Sequence, residues 1–168
     1  MSNRGLTTIV SEELRRFVDN YRTGDVDLST IDSIIGDVNK LTPVGNKPID
    51  VVQLRDVNQI FQEGIYRDFP HDNVIAFISI LRDLGIPVSY AVYVQEDTLD
   101  KTQEPITKPF AIVTLGDKKY LIDIIGHTFS RFKERFGQMV YCFEGLDPLD
   151  MGIETTNDIL RKIQQYSE

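Results

Sequence analysis

Two histidines, one cysteine and a scatter of carboxylates carry whatever chemistry this 168-residue chain can perform. His71 stands in the run Pro70-His71-Asp72-Asn73, directly ahead of a long apolar stretch. One reading makes it a substitute base or a metal ligand acting with Asp123. The other makes His71, Asp72 or Asn73 the cap of a helix whose first N–H groups need acceptors, which accounts for all three without chemistry. Cys142 is the second candidate, a nucleophile with His127 fifteen residues before it. Its neighbours Val140, Tyr141 and Phe143 are strand-like and apolar, and no adjacent cation lowers the thiol pKa, so the expectation is a buried, inert thiol. His127 follows Gly126 and reads as a turn or a helix cap. No metal site is expected, because the histidines lack paired spacing and Asp147 and Asp150 lack the alternating acids of a calcium loop. No cofactor is expected either: Gly116-Asp117-Lys118-Lys119 reads as a hairpin turn, not as a phosphate-cradling loop that opens a helix.

The elements that must position these residues follow from periodicity. Leu14, Phe17, Val18 and Tyr21 recur at helical spacing between Ser11 and Gly24. Ile31, Ile34, Ile35 and Val38 repeat the pattern, with Ser29 as cap and Asp32 reaching back. Val51, Leu54, Val57, Ile60 and Phe61 predict a third helix behind Asp50, with Gln53 in the capping box and Gly64 as stop. Ile159, Leu160, Ile163 and Tyr166 predict a last one, opened by Thr155 or Thr156. Between them, Asp72 to Leu84 is apolar on nearly every side, the mark of a buried helix, and Gly85 and Pro87 end it. Strands are predicted over Val88–Gln95, Pro109–Leu115 and Lys118–Ile125, with a fourth over Met139–Phe143. A polar loop from Glu96 to Lys108 is long enough to overhang a cleft. Phe129, Phe132 and Phe136, with Arg131, Lys133 and Arg135 between them, predict a basic amphipathic helix able to meet an acidic partner or nucleic acid, or simply to solvate its charged face over a packed stripe.

The middle of the chain resembles the transglutaminase-like family of the papain-like superfamily. The resemblance rests on Arg82-Asp83-Leu84-Gly85-Ile86-Pro87-Val88 at the end of a buried helix, on the strand after it, and on the hairpin from Phe110 to Asp123 with Tyr120 as its aromatic residue. It covers roughly residues 64–126. In that family a cysteine on the first turn of the buried helix, a histidine at the head of a strand and an aspartate at the end of the next form a triad. The cysteine position falls on Pro70, beside His71, and the histidine position on Phe110; Asp123 alone matches. The resemblance therefore implies a degenerate site of Pro70, His71, Phe110 and Asp123, with no catalytic residue confidently assigned. A triad without nucleophile and base cannot transfer an acyl group.

Composition narrows the rest. The chain is 41% hydrophobic and 26% charged, which fits one domain with a core of its own. It divides into a helical part (1–63), the transglutaminase-like core (64–126) and a strand-and-helix extension (127–168). The fold expected is α+β, a small antiparallel sheet of three or four strands on the buried helix, with the other helices around it. Eighteen basic against 26 acidic residues give a net charge of −8, which disfavours nucleic-acid and anionic-membrane partners. One cysteine permits no disulfide within the chain, and no secretory or membrane-spanning run is visible, so an intracellular, cytoplasmic setting is expected. The function expected is a non-catalytic module for protein binding or assembly, as a subunit of a larger complex or viral particle. The alternative is an active hydrolase or acyltransferase rebuilt around His71, Asp123 and Cys142.

Overall fold

In a computed structural model, which describes residues 5–22, 24–41, 43–48, 53–67, 69–98 and 104–166, the chain is α+β. Three helices come first: α1 (Glu12–Asp19), α2 (Leu28–Asn39) and α3 (Val57–Glu63). The buried helix α4 (Pro70–Asp83) follows, then six strands and a closing helix α5 (Thr156–Tyr166). The strands are β1 (Val88–Gln95), β2 (Thr107–Leu115), β3 (Lys118–Asp123), β4 (Thr128–Arg131), β5 (Arg135–Phe136) and β6 (Met139–Gly145). No helix among the described residues is long and apolar enough to cross a membrane.

Ser11 caps α1 by accepting from the Leu14 N–H, as its sequence predicts. The next two helices start elsewhere than expected. Asp27 and Thr30, not Ser29 and Asp32, form the capping box of α2, which frees Asp32 to pair with His127. Asp56 and Gln59 cap α3, so that helix begins at Val57. Residues 49–52, with the expected cap Asp50, lie outside the described residues, and Leu54 lies outside the helix, its N–H bound to the Glu154 carbonyl ahead of α5. That tie consumes an apolar residue whose spacing alone matched the helix.

All six strands join one antiparallel sheet in the order β4-β3-β2-β1-β6-β5. Two more strands are present than expected, because the segment predicted as a basic helix is β4 and β5. These occupy opposite edges, yet only residues 132–134 separate them in sequence. A flat six-stranded sheet would hold its edges roughly 24 Å apart, whereas that link spans at most about 14 Å. The sheet is therefore curled nearly shut. The Phe132 N–H reaches the Lys119 carbonyl (2.9 Å), the Tyr141 N–H the Glu134 carbonyl (2.7 Å), and the Tyr93 hydroxyl the Lys133 carbonyl (2.7 Å). This long-range closure, invisible to a local window, overrides the helical spacing of the three phenylalanines.

Curling gives the sheet two unlike faces. Val88, Tyr90, Val92, Ala111, Val113 and Ile122 point outward onto α4 and the main aliphatic core. Ala91, Tyr93, Phe110, Ile112 and Leu121 point into the lumen, which Phe132, Phe136, Met139 and Tyr141 fill. Edge-to-face contacts order these rings, with Tyr93 and Phe110 at 4.9 Å and Phe110 and Phe136 at 5.6 Å. Residues 99–103 of the expected overhanging loop lie outside the described residues; its start is one short 3-10 turn, Glu96–Thr98.

Candidate functional site

The first turn of α4 gathers three buried polar side chains, and each is already engaged. Pro70 opens the helix, where its missing N–H costs nothing, and no side chain caps it. The expectation that His71, Asp72 or Asn73 caps this helix is therefore not met. Instead they reach sideways. His71 shares a hydrogen bond between Nδ1 and the Tyr90 hydroxyl of β1 (2.9 Å), with the Phe69 ring 4.9 Å away. Burial holds its pKa down at about 4, so the imidazole is neutral at ordinary pH. Burial likewise raises the Tyr90 phenol, which stays protonated.

Asp72 is fully buried and accepts from the Tyr66 N–H (2.9 Å) and from Arg55 Nη2 through the same oxygen, Oδ2. The Arg55 guanidinium also donates to the Gly64 carbonyl (2.9 Å) and lies over the Tyr66 ring at 4.2 Å. Asp72 Oδ1 and Arg55 Nε are buried without a partner. Desolvation raises the Asp72 pKa against the lowering effect of these donors. Nothing in the sequence marks Arg55 as the partner of Asp72.

Asn73 donates to Asn39 Oδ1 (3.0 Å), and Asn39 Nδ2 donates to the Ile124 carbonyl (2.7 Å). Two hydrogen bonds thus join the first turn of α4 to the residue just after Asp123. The Asp123 side chain turns away from that helix. Lys108 Nζ and the Gly126 N–H each approach its carboxylate at 3.0 Å. Its donors come from β2 and from its own turn, and none comes from residues 70–73. A Cβ at Gly126 would sit 2.6 Å from Asp123 Oδ2, so any other residue there must displace this carboxylate. Phe110 lies beside this pair on the lumen face, fully buried, with Lys108 Nζ 5.3 Å from its ring centre. The structure brings Asp123 and Phe110 together at one rim of the lumen, while Pro70 and His71 stand on the outer face. Across from Tyr90, the residue facing that outer side is Ala111.

Cys142 is half-buried on β6, packed at the margin of the main core, and desolvation raises its thiol pKa. In the sheet order β2 and β1 stand between it and Asp123 on β3. His127 occupies a turn at φ 52° and pairs through Nε2 with Asp32 of α2 (2.9 Å). Among the described residues no group of three or more histidine, cysteine or carboxylate side chains is placed to hold a metal ion.

No family model and no curated protein sequence matches the chain. Solved structures do match in fold. LapG from Legionella pneumophila superposes with a TM-score of 0.57 at 13% identity, covering 92% of this chain and 86% of that one. Its calcium-bound form gives 0.57 at 12% identity, over 79% and 72%. A candidate cysteine protease from Cytophaga hutchinsonii gives 0.54 at 14% identity, over 89% of this chain and 54% of that one, so the chain spans about half the length of that protein. At these identities the likeness is one of fold alone, a buried helix packed on an antiparallel sheet.

Proposed function

We propose that this chain keeps the papain-like scaffold without the acyl-transfer chemistry and acts as a protein-binding or assembly module, a subunit of a larger complex. The observation that carries this reading is the first turn of α4. Pro70, His71, Asp72 and Asn73 offer no thiol and no hydroxyl, and a covalent mechanism needs a nucleophile within reach of a base. His71 spends Nδ1 on Tyr90, Asp72 is committed to Arg55 and Tyr66, and Asn73 to Asn39. A cysteine protease of this fold needs an activated thiol. The one cysteine here lies on β6 with a raised pKa, the opposite of activation. The rebuilt site of the alternative would draw on His71 and Asp123, with or without Cys142, and these lie apart: His71 on α4 against β1, Asp123 on β3 bound to Lys108 of β2, and Cys142 on β6.

The test is to incubate the pure protein with thiol-directed electrophiles, acyl-ester substrates and general hydrolase probes. The expected result is no turnover and slow modification of Cys142 alone. Rapid stoichiometric labelling, or ester turnover above the buffer rate, would overturn the reading.

A further inference from the structure

Four cations on and beside the β3–β4 pair stand out in a chain of net charge −8. Lys118, Lys119, Arg131 and Lys133 are all exposed. Among the described residues none of them meets a carboxylate at ion-pair distance, and three of the four lie over aromatic rings. Lys119 Nζ lies 5.0 Å from the Phe132 ring, Arg131 Cζ 5.8 Å from Tyr120, and Lys133 Nζ 5.3 Å from Phe136. Asp123, the one acid within 118–133, has its carboxylate bound to Lys108 and Gly126; Asp117 and Glu134 flank the patch. The opposite edge differs, since on β5 the Arg135 guanidinium is neutralised by Glu96.

Arg131 lies on, and Lys133 just beyond, an edge strand of the sheet, and Lys118 and Lys119 lie on its paired neighbour β3. β4 is an edge of the sheet, and the register sets which of its backbone groups are free. The Phe132 N–H bonds the Lys119 carbonyl, so in the alternating antiparallel pattern residues 130 and 128 face β3 and residues 129 and 131 face outward. No described residue hydrogen-bonds the backbone N–H or carbonyl of Phe129 or Arg131. An edge with unpaired groups is a template for another strand. Its cations repel a second copy of itself and favour a strand of opposite charge.

We propose that β4 pairs with an extended acidic segment of a protein partner, its backbone bonding Phe129 and Arg131 and its carboxylates held in the positive field of Arg131 and Lys133, with Lys118 and Lys119 on β3 behind them. This rests on the reading of the chain as a protein-binding module and names the chemistry of the partner. A polynucleotide would match the charge but cannot form the backbone ladder, which is why a peptide is favoured.

The probe is a fluorescein-labelled peptide of about twelve residues alternating glutamate and threonine, titrated by anisotropy with the full chain in about 50 mM salt. Saturable binding is expected, weakening as salt rises. The exposed double variants Lys119→Glu/Arg131→Glu and Lys118→Glu/Lys133→Glu should each weaken it at least about tenfold. The control Arg16→Glu, on α1, should leave it within about twofold. N-methylation of alternate peptide nitrogens should cost at least about tenfold, because it blocks the ladder without changing charge. Absence of binding, indifference to either double variant, equal binding of the methylated peptide, or equal binding of an oligothymidylate of the same charge would each overturn the proposal. Ester turnover, by contrast, would overturn the non-catalytic reading and leave this titration unchanged.

Discussion

At the C-terminal end of α4 the buried Asp147 carboxylate accepts from the N–H groups of Leu6 (3.2 Å), Thr7 (2.9 Å) and Leu149 (2.9 Å) and from the Thr7 hydroxyl (2.8 Å). Arg82 of α4 closes the arrangement by donating to Thr7 Oγ1 (2.7 Å) and to the Leu146 carbonyl (3.0 Å). At the N-terminal end Asp72 has one backbone donor and one guanidinium, both on a single oxygen, and its other oxygen has none. Both carboxylates are buried, but only the first is held from several segments of chain. The contrast teaches where polar burial serves closure of the fold and where it rests on one guanidinium and one backbone N–H. The latter is the turn that carries the reactive group in the family this chain resembles.

The sharpest way to break that contrast is to remove Arg55. Arg55→Met keeps an apolar stem over Tyr66 but leaves Asp72 buried with the Tyr66 N–H alone. Stripping one partner from a buried charge pair costs about 3–5 kcal/mol, which urea melts will register. At the other end Thr7→Val removes one hydroxyl from a carboxylate that keeps three N–H donors, and the expected loss is about 1 kcal/mol. Equal losses at the two ends would mean that water satisfies Asp72 as fully as backbone satisfies Asp147.

Titration sharpens the same comparison with an effect between those two. Folded His71 has a pKa of about 4 against an ordinary 6.5. Between those values the unfolded chain binds the proton and the folded one does not. The stabilisation is thus complete above pH 6.5 and is lost as the pH falls toward 4, by about 3 kcal/mol. Asp72 acts in the opposite sense, since its raised pKa means that acid relieves the cost of burying it. The His71 contribution is therefore read as the difference between wild type and His71→Phe. The variant carries a constant penalty for the Tyr90 hydroxyl but should lose less stability between pH 6.5 and 4. Parallel curves for the two proteins would show that His71 does not remain buried and neutral.

Much of the scaffold is legible locally. The Ser11 cap, the all-round apolar α4 with its Gly85 stop, the limits of β1 and the Gly116-Asp117 hairpin each depend on neighbours within a few residues. What escapes is non-local. The short strands β4 and β5 exist because the sheet curls, and their phenylalanines are spaced for a helix by coincidence. The site was legible only in part for the same reason. Asp123 and Phe110 do adjoin, but strand alternation turns both into the lumen, and a one-residue step decides whether a side chain meets α4 or the aromatic cluster. Arg55 lies seventeen residues from Asp72, and only the packing of α3 against α4 brings them together.

The smallest expected effect lies away from both ends of α4, at Cys142. If the reactive position of this fold is vacant at Pro70, no other thiol has taken its place, and Cys142→Ser should change neither folding nor partner binding. The side chain is half-buried at the edge of the main core, and no described residue hydrogen-bonds its thiol. A serine hydroxyl there has partial access to water, so the exchange should cost less than about 1 kcal/mol in a denaturant melt. Desolvation raises the thiol pKa, so the thiolate fraction at neutral pH is below that of a free cysteine. Modification by iodoacetamide should accordingly be slower in the native protein than in the unfolded chain, and should quicken as the pH rises. Labelling faster in the native state would reveal a cation near β6 that activates the sulfur, and would move the search for chemistry from α4 to that strand.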